Sequence, residues 1–530
     1  MTESLIARKS ILARVIEQRT GLGYNRVRTA LNLRSEHVCL PLFSFRSEIL
    51  SGTGQQNMGL LRFTVSSDDL IRPEDAEVAD FVTFDGRVIG ATSSLDDGLL
   101  FCNRVQAQSS KLRIPCHFSG RSVVLQTTAL PESNSEYNLE KELARGELSR
   151  LRNFFHLWTG AGLKSCDKLD AKISEAHACF RSAVFSEDPA TSVECIRLTH
   201  EAIELLTEVY TRQRITFRRQ RNQRFPLMVG CALNARPENE QAFLTTFNAA
   251  MVSTRWSTLE PVDGDYQWEE LDELIDWVVS NRLAAVGGPL LDLSEDHFPK
   301  WITPWKNDLV NMESFTADFV ETVVSRYVGR IRHWEVVCGA NRGILGGMSE
   351  EQRLHLVVRT IEAAQQVDEQ IQISLRVVQP WGEYLNATAN RLPAIQFIDT
   401  IRRSGAQVGE ISLDFRFGPF SDNDLHSLPR DLLSVSQLLD HWSLLQIPIN
   451  VIASLPHTDH TDDFAELQTW QTDFLEQLIM MSLSKERVNG FYCQNWADEH
   501  ADSMALVDPD GNMHNALAMI GAFESTHWIG

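Results

Sequence analysis

The stretch His333-Trp334-Glu335-Val336-Val337-Cys338 is apolar except for its histidine and its glutamate. A short run of this kind predicts a β-strand that is buried on both faces. Seven similar runs, separated by helical patterns, lie at residues 227–233, 251–256, 283–287, 371–377, 410–415, 447–452 and 490–494. Eight strands that alternate with helices over roughly 300 residues predict an α/β fold, a TIM (β/α)8 barrel. We place this barrel at residues 225–530.

The residues before the barrel predict three further parts. Residues 1–36 have a basic helical pattern and form an N-terminal helical arm. Residues 37–130 alternate apolar and polar side chains between turns, which predicts a β-sandwich-like domain. Residues 137–222 predict a helical hairpin or bundle, with a break at Asp188-Pro189, that links the sandwich to the barrel.

A motif after the second strand of the barrel carries a family resemblance. It reads Arg255-Trp256-Ser257-Thr258-Leu259-Glu260-Pro261 and continues with Gly264, Tyr266, Trp268 and Asp272. Further matches are Gly288 with Pro299-Lys300-Trp301, Arg326-Tyr327 with Trp334-Glu335-Val336-Val337, and Leu506-Val507-Asp508-Pro509-Asp510-Gly511. In order and spacing these residues resemble glycoside hydrolase family 10, the xylanases. The resemblance covers about residues 225–530 and implies a TIM barrel that acts on carbohydrate.

The sequence departs from this family at the two positions that carry its chemistry. The resemblance places the general acid/base at Gly339 and the nucleophile at Ser454. Retaining glycosidases use two carboxyl groups about 5 to 5.5 Å apart, and neither glycine nor serine supplies one. We therefore expect ordinary retaining xylanase activity to be absent.

Other residues at the predicted carboxyl ends of the strands are candidates for a replacement site. The possible substitute acids are Glu335, Asp292, Asp414 and Asp498, and Glu295 and Glu499 also lie at this rim. The possible substrate-binding residues are Arg255, Trp256, Arg416, Trp381, Gln494 and Trp496. Structural roles compete with each of these: Glu335 can serve a structural hydrogen bond, Asp414 can pair with Arg416, and Trp381 and Trp496 can simply pack.

Two further patterns contain residue types that could form a reactive site. His457, Asp459 and His460 follow the seventh strand and include residue types that bind divalent metals, but no family spacing supports a metal site, and we favour a hydrophilic loop. Cys338 ends a strand, but spacing identifies no histidine partner, and a buried free cysteine behaves as a small apolar side chain. We expect no cofactor.

Composition limits the partners and the compartment. The 530 residues carry a formal net charge of −22, which disfavours nucleic acid despite a local arginine run at 212–224. The N-terminal residues lack a sustained apolar stretch, so we expect neither a secretory signal nor a membrane partner. Nine cysteines, an odd number without a C-x-x-C pair, indicate reduced thiols. These features predict a cytoplasmic protein.

Two functions from different classes follow from the sequence. The first is a family 10-like protein without ordinary hydrolysis that binds an oligosaccharide or polysaccharide, or that acts as a scaffold with a protein partner at its N-terminal region. The second is an active glycosyl hydrolase that uses relocated carboxylates.

Overall fold

The N-terminal part folds into two β-sheets that share one core. The computed structural model describes residues 59–523 except 68, 85, 119, 187, 222–224, 226, 294–296, 344–346, 388–389, 419–426, 457–463, 498–504 and 509–510. The predicted arm at 1–36 and the start of the predicted sandwich therefore lie outside the described residues. The elements are β1 (Leu60–Thr64), α1 (Pro73–Glu77), β2 (Asp80–Val82), β3 (Val88–Ile89), β4 (Ala91–Asp96), β5 (Leu99–Arg104), β6 (Lys111–Phe118), β7 (Arg121–Gln126) and β8 (Tyr137–Asn138). One sheet has the order β4-β5-β1-β8 and the other β3-β2-β6-β7, and alternate residues such as Phe63 and Ile114 meet in one buried cluster.

Three helices follow: α2 (Leu139–Gly160), α3 (Asp167–Phe185) and α4 (Pro189–Arg221). Asn138 caps the first, because its side chain accepts a hydrogen bond from the backbone N–H of Lys141. The third begins at a proline, whose fixed φ suits the first helical position. The helices pack around a cluster in which the ring of Trp158 stacks on Tyr210 with 3.9 Å between centroids.

The rest of the chain is a closed barrel of parallel strands. They are β9 (Met228–Leu233), β10 (Ala249–Val252), β11 (Ala284–Gly287), β13 (His333–Cys338), β14 (Gln372–Val377), β15 (Glu410–Phe415), β16 (Ile449–Ala453) and β17 (Val488–Cys493), with a short β12 (Leu291–Asp292) beside β13. β17 pairs with β9, and β11 pairs with β13, so the sheet closes on itself. All eight predicted strands are present, which confirms the predicted TIM barrel.

Helices surround the strands, as the alternating sequence pattern predicts. They are α5 (Glu240–Thr246), α6 (Trp256–Leu259), α7 (Glu269–Ser280), α8 (Leu309–Arg326), α9 (Glu350–Val367), α10 (Tyr384–Ala387), α11 (Ala394–Arg403), α12 (Leu432–Trp442), α13 (Phe464–Ser484) and α14 (Asn515–Phe523). Among the described residues, none of these helices has the length and apolar character needed to cross a membrane.

The interior of the barrel is apolar on one side and polar on the other. Alternate residues of β10, β11, β16 and β17 fill one side: Ala249, Met251, Val286, Ile452 and Tyr492. The ring of Tyr492 fits because a Cβ on Gly230 or Gly490 would lie within 2.8 Å of it. On β13, β14 and β15 the alternate positions instead carry Glu335, Arg376 and Asp414, all buried. The barrel thus encloses charged residues that must be paired.

The N-terminal part docks on two loops at the carboxyl-end face of the barrel, the loops that follow β14 and β15. After β14, the side chain of Asn386 accepts from the backbone N–H of Ala91 (2.8 Å) and donates to the carbonyl of Ala79 (3.1 Å). After β15, the N–H of Val124 donates to the carbonyl of Pro429 (2.9 Å). Loops that shape the active site in most TIM barrels are used here to hold another part of the chain.

Candidate functional site

The two positions where the family resemblance places catalytic residues carry no acid. Gly339 has an unusual backbone conformation, and Ser454 is buried. Gly339 follows β13 with a φ of +70°, a left-handed conformation that side-chain-bearing residues rarely adopt. Its carbonyl accepts hydrogen bonds from the N–H groups of Arg342 and Gly343. Ser454 follows β16, is only 3% exposed, and its hydroxyl meets no hydrogen-bond partner among the described residues.

Glu335 lies inside the barrel and forms an ion pair. Its carboxylate is fully buried, and its Oε1 lies 2.8 Å from Nε of Arg376. Nη1 of Arg376 donates to Oε1 of Gln494, also at 2.8 Å, so this arginine joins β13 to the end of β17. Burial raises the pKa of Glu335, and the Arg376 guanidinium opposes that rise. The Glu335 carboxylate therefore balances the charge of the buried Arg376 guanidinium.

Asp414 and Arg416 form the second ion pair at the mouth. The guanidinium of Arg416 donates from Nε to both carboxylate oxygens of Asp414, at 2.8 and 2.9 Å, and from Nη2 to Oδ2 at 2.6 Å. The carboxylate is fully buried, and the arginine side chain is 18% exposed. A bidentate pair of this kind fixes both side chains and leaves the carboxylate little freedom to act on a substrate.

Asp292 lies nearest to the expected acid/base position. A Cβ added to Gly339 would lie 3.9 Å from its Oδ1, and Nε2 of His297 lies 3.6 Å from its Oδ2. Its side chain is 9% exposed. Asp292 is therefore the described carboxylate that best matches a displaced acid.

The cavities that the described residues form beside Asp292 and beside Ser454 are small. The cavity lined by Arg255, Trp256, Asp292 and His297 measures about 10 Å³. The one lined by Ser454 and Gln494 has no room for a water molecule. A single water needs about 10 to 15 Å³. Neither cavity could hold a sugar ring in this conformation.

The predicted substrate-binding tryptophans are packed. The ring of Trp256 stacks on Phe319 with 4.6 Å between centroids, and that of Trp496 lies against Phe243 at 5.2 Å. Trp381 lies between Phe415 and the guanidinium of Arg430, 5.1 and 5.6 Å from its ring. Arg255 alone among the predicted sugar-binding residues is exposed, at the start of α6.

Several sequence candidates lie outside the described residues: Glu295, His457, Asp459, His460, Asp498 and Glu499. In the part of the chain that the structure describes, no group of three or more potential ligands is arranged to hold a metal ion. Cys338 is described and buried, and burial raises the pKa of its thiol well above the usual range. A thiol that stays protonated is a poor nucleophile.

Part of the chain is similar to proteins of known activity. A family model described as glycosyl hydrolase family 10 matches residues 217–343, from the end of α4 to just beyond β13. This matched segment is similar to glycosyl hydrolase family 10. Endo-1,4-beta-xylanase C of Paenibacillus barcinonensis is 25% identical over 114 residues, which are 20% of this chain and 10% of the xylanase. Endo-1,4-beta-xylanase 3 of Hypocrea jecorina is 32% identical over 85 residues, 16% of this chain and 24% of the xylanase.

Solved structures give similar matches. Xylanase 10B from Thermotoga petrophila RKU-1, in complex with xylobiose, aligns with a TM-score of 0.45 and 15% identity, covering 56% of this chain and 95% of that one. Native xylanase 10B from Thermotoga maritima aligns with a TM-score of 0.46 and 14% identity, covering 57% and 96%. The sequence matches span a quarter or less of the curated relatives.

The residues that resemble the family 10 signature are joined to one another by hydrogen bonds. Nε1 of Trp256 donates to Oε2 of Glu260 (2.7 Å), and the N–H of Gly264 donates to the other oxygen (2.8 Å). Asp272 accepts from Nε of Arg326 (3.0 Å) and from the hydroxyl of Tyr327 (2.9 Å). These signature residues hold loops and helices together, whereas the positions expected to act on sugar carry other residues.

Arg376 is central to the charged interior but is not among the site residues predicted from the sequence. Arg376 is the one charged residue in the predicted strand at 371–377, and this was a usable signal, because a charge buried in a barrel strand needs a partner. Its partner could not be identified, since Glu335 lies on the neighbouring strand and 41 residues earlier.

Proposed function

We propose that this protein is a family 10-like carbohydrate-binding or interaction protein that does not cleave glycosidic bonds by the retaining mechanism. The observation that carries the proposal is the arrangement of charge at the barrel mouth. The two expected catalytic positions are Gly339 and Ser454, and the carboxylates of Glu335 and Asp414 are committed to Arg376 and Arg416. A general acid alone contributes about 10²- to 10⁴-fold to such a reaction, so losing both groups leaves little beyond binding.

The docking of the N-terminal part supports the same conclusion. It uses the loops after β14 and β15, which would otherwise be available to line a substrate groove. Carbohydrate is the ligand class proposed because the relatives that match this chain are named as xylanases. A cytoplasmic location remains a prediction from the cysteine usage.

A relocated active site is the second candidate, and one observation favours it. Asp292 lies next to Gly339, and burial raises the pKa of Glu335, which is the direction required of a general acid. Because Glu335 is fully buried behind Arg376, we rank this candidate lower.

The test is a comparison of turnover and binding in the purified full-length protein. Xylan, xylo-oligosaccharides and aryl glycosides should release no sugar above background, with a family 10 xylanase as the positive control, while calorimetry should detect binding of at least one oligosaccharide. Steady turnover that falls at least 100-fold in Asp292→Asn or Glu335→Gln, but not in the exposed control Glu273→Gln, would establish the relocated site and overturn the proposal.

A further inference from the structure

A cavity of about 310 Å³ lies between the N-terminal sheet, helix α4 and the barrel. Its walls come from β6 and β7, from α4, from the segment that leads into α12, and from α13. Ligand sites in proteins commonly measure about 300 to 1,000 Å³. This interdomain cavity is large enough for a small ligand, whereas the two cavities beside Asp292 and Ser454 are not.

One wall of the interdomain cavity is aromatic. Trp470 and Phe474 lie one helical turn apart on α13, with 6.3 Å between their centroids and a tilt of 33°. Phe417, after β15, meets the ring of Phe474 edge-on at 5.6 Å. The ring of Trp470 is partly exposed to solvent. A partly exposed indole beside a second ring offers an apolar surface on which a flat ligand could stack.

The other walls carry polar groups whose charges are already matched. His117 and Asp75 lie 2.8 Å apart, Arg430 donates to Glu383 at 2.9 Å, and Asp431 accepts from Arg150 at 2.9 Å. These pairs leave the described lining without an obvious positive charge that could bind an anion. The chain's net charge of −22 also repels anions.

His200 adds a further hydrogen-bonding group to the polar side. It is 9% exposed, its Nε2 lies 3.6 Å from Glu204, and its Nδ1 has no hydrogen-bond partner among the described residues. Buried polar atoms are normally paired. The lining therefore presents donors and acceptors together, which suits a ligand whose hydroxyls act as both.

We propose that the interdomain cavity binds a neutral carbohydrate of one or two rings, with one sugar face on Trp470 and Phe474 and its hydroxyls toward the His117, Asp75 and His200 side. This inference rests on the proposed carbohydrate binding and moves the site from the barrel mouth to the junction with the N-terminal part.

The test uses the full-length protein, with xylose, xylobiose and xylotriose as neutral probes and glucuronic acid as an anionic one. Trp470→Ala should weaken binding of the neutral probes about tenfold, because the stacking surface is lost. Trp305→Ala should leave binding unchanged, since Trp305 is a partly exposed tryptophan on the 3₁₀ helix at Lys300–Trp305, outside this cavity. Trp470→Phe should retain most of the affinity, which separates stacking from misfolding.

Three outcomes would overturn the inference. Binding that survives Trp470→Ala but is lost in Asp292→Asn would place the ligand at the barrel mouth and leave the proposed function standing. Tighter binding of glucuronic acid than of xylose would contradict a neutral ligand. If the wild-type protein binds none of these probes, both the inference and its carbohydrate-binding premise fail.

Discussion

Gly339 adopts a left-handed backbone conformation, with φ at +70°, at the position where the family resemblance expects a glutamate. A residue with a Cβ in this region costs about 1 to 2 kcal/mol, so Gly339→Ala should lower the free energy of unfolding by that amount. Urea denaturation measures the change. Gly160→Ala is the control, because Gly160 is the last residue of α2 and a Cβ there meets nothing within 4 Å. If Gly339→Ala leaves the free energy of unfolding unchanged, position 339 does not require a left-handed backbone conformation.

His514 makes a pH-dependent contribution at the start of α14. Its Nδ1 accepts from the N–H of Ala516, and its Nε2 lies 3.0 Å from Oε1 of Gln471, so the neutral ring fits both bonds. Burial lowers its pKa to about 4. An unfolded histidine has a pKa near about 6.5, so the unfolded chain binds a proton first, and stability falls as the pH drops from about 6.5 to about 4.

The size of that pH effect can be measured against a variant that does not titrate. At pH 4.5 the loss due to His514 should be about 2 kcal/mol relative to pH 7. His514→Asn retains a side-chain acceptor for Ala516 and should show a correspondingly weaker pH dependence in urea titrations. Identical pH profiles for the two proteins would rule out this role.

Glu260 connects α6 to the loop that follows it, because its carboxylate accepts hydrogen bonds from Trp256 and from Gly264. Glu260→Ala would leave the buried Nε1 of Trp256 without its acceptor, which costs about 1 to 3 kcal/mol, and the exposed N–H of Gly264 would turn to water. We expect a stability loss of about 1 to 3 kcal/mol and no change in carbohydrate affinity. Glu273→Ala, on the exposed side of α7, should change stability by less than about 0.5 kcal/mol. Thermal and urea unfolding provide the comparison.

The elements of the barrel could be predicted from sequence because their apolar runs are short and regularly spaced. β13 and β15 have the predicted bounds, while β10 is Ala249–Val252 rather than 251–256, because α6 already begins at Trp256, with Arg255 at its N-cap. The charged interior could not be predicted in the same way. Whether Glu335 meets Arg376 depends on the register of two neighbouring strands, and sequence spacing does not encode that register.

The described residues between 59 and 523 belong to one compact unit, and Arg150 connects two parts of it. Its guanidinium donates from Nη1 to Glu147 (2.7 Å) and from Nη2 to Asp431 (2.9 Å), joining α2 to the barrel. Breaking a buried pair by removing one partner costs about 3 to 5 kcal/mol. We expect wild-type protein to unfold in a single calorimetric transition over this unit, and Arg150→Ala to split that transition or lower its midpoint markedly.

A neighbouring arginine on the same helix serves as the control. Arg145 pairs with Glu142 three residues earlier, but its side chain is 47% exposed, so Arg145→Ala should cost less than about 1 kcal/mol. If the two arginine variants unfold alike, Arg150 does not couple the N-terminal part to the barrel.

The seating of the N-terminal sheets on the loops after β14 and β15 has a practical consequence for anyone who trims the chain. A fragment starting at residue 225 would lack Arg150, the ion-pair partner of Asp431, and the N–H of Val124 that donates to the carbonyl of Pro429. It would also expose Leu433 to water. Such a truncated barrel would expose apolar and unpaired polar groups that favour aggregation, so assays on it would not describe the intact protein. Full-length material is the proper sample for every measurement proposed above.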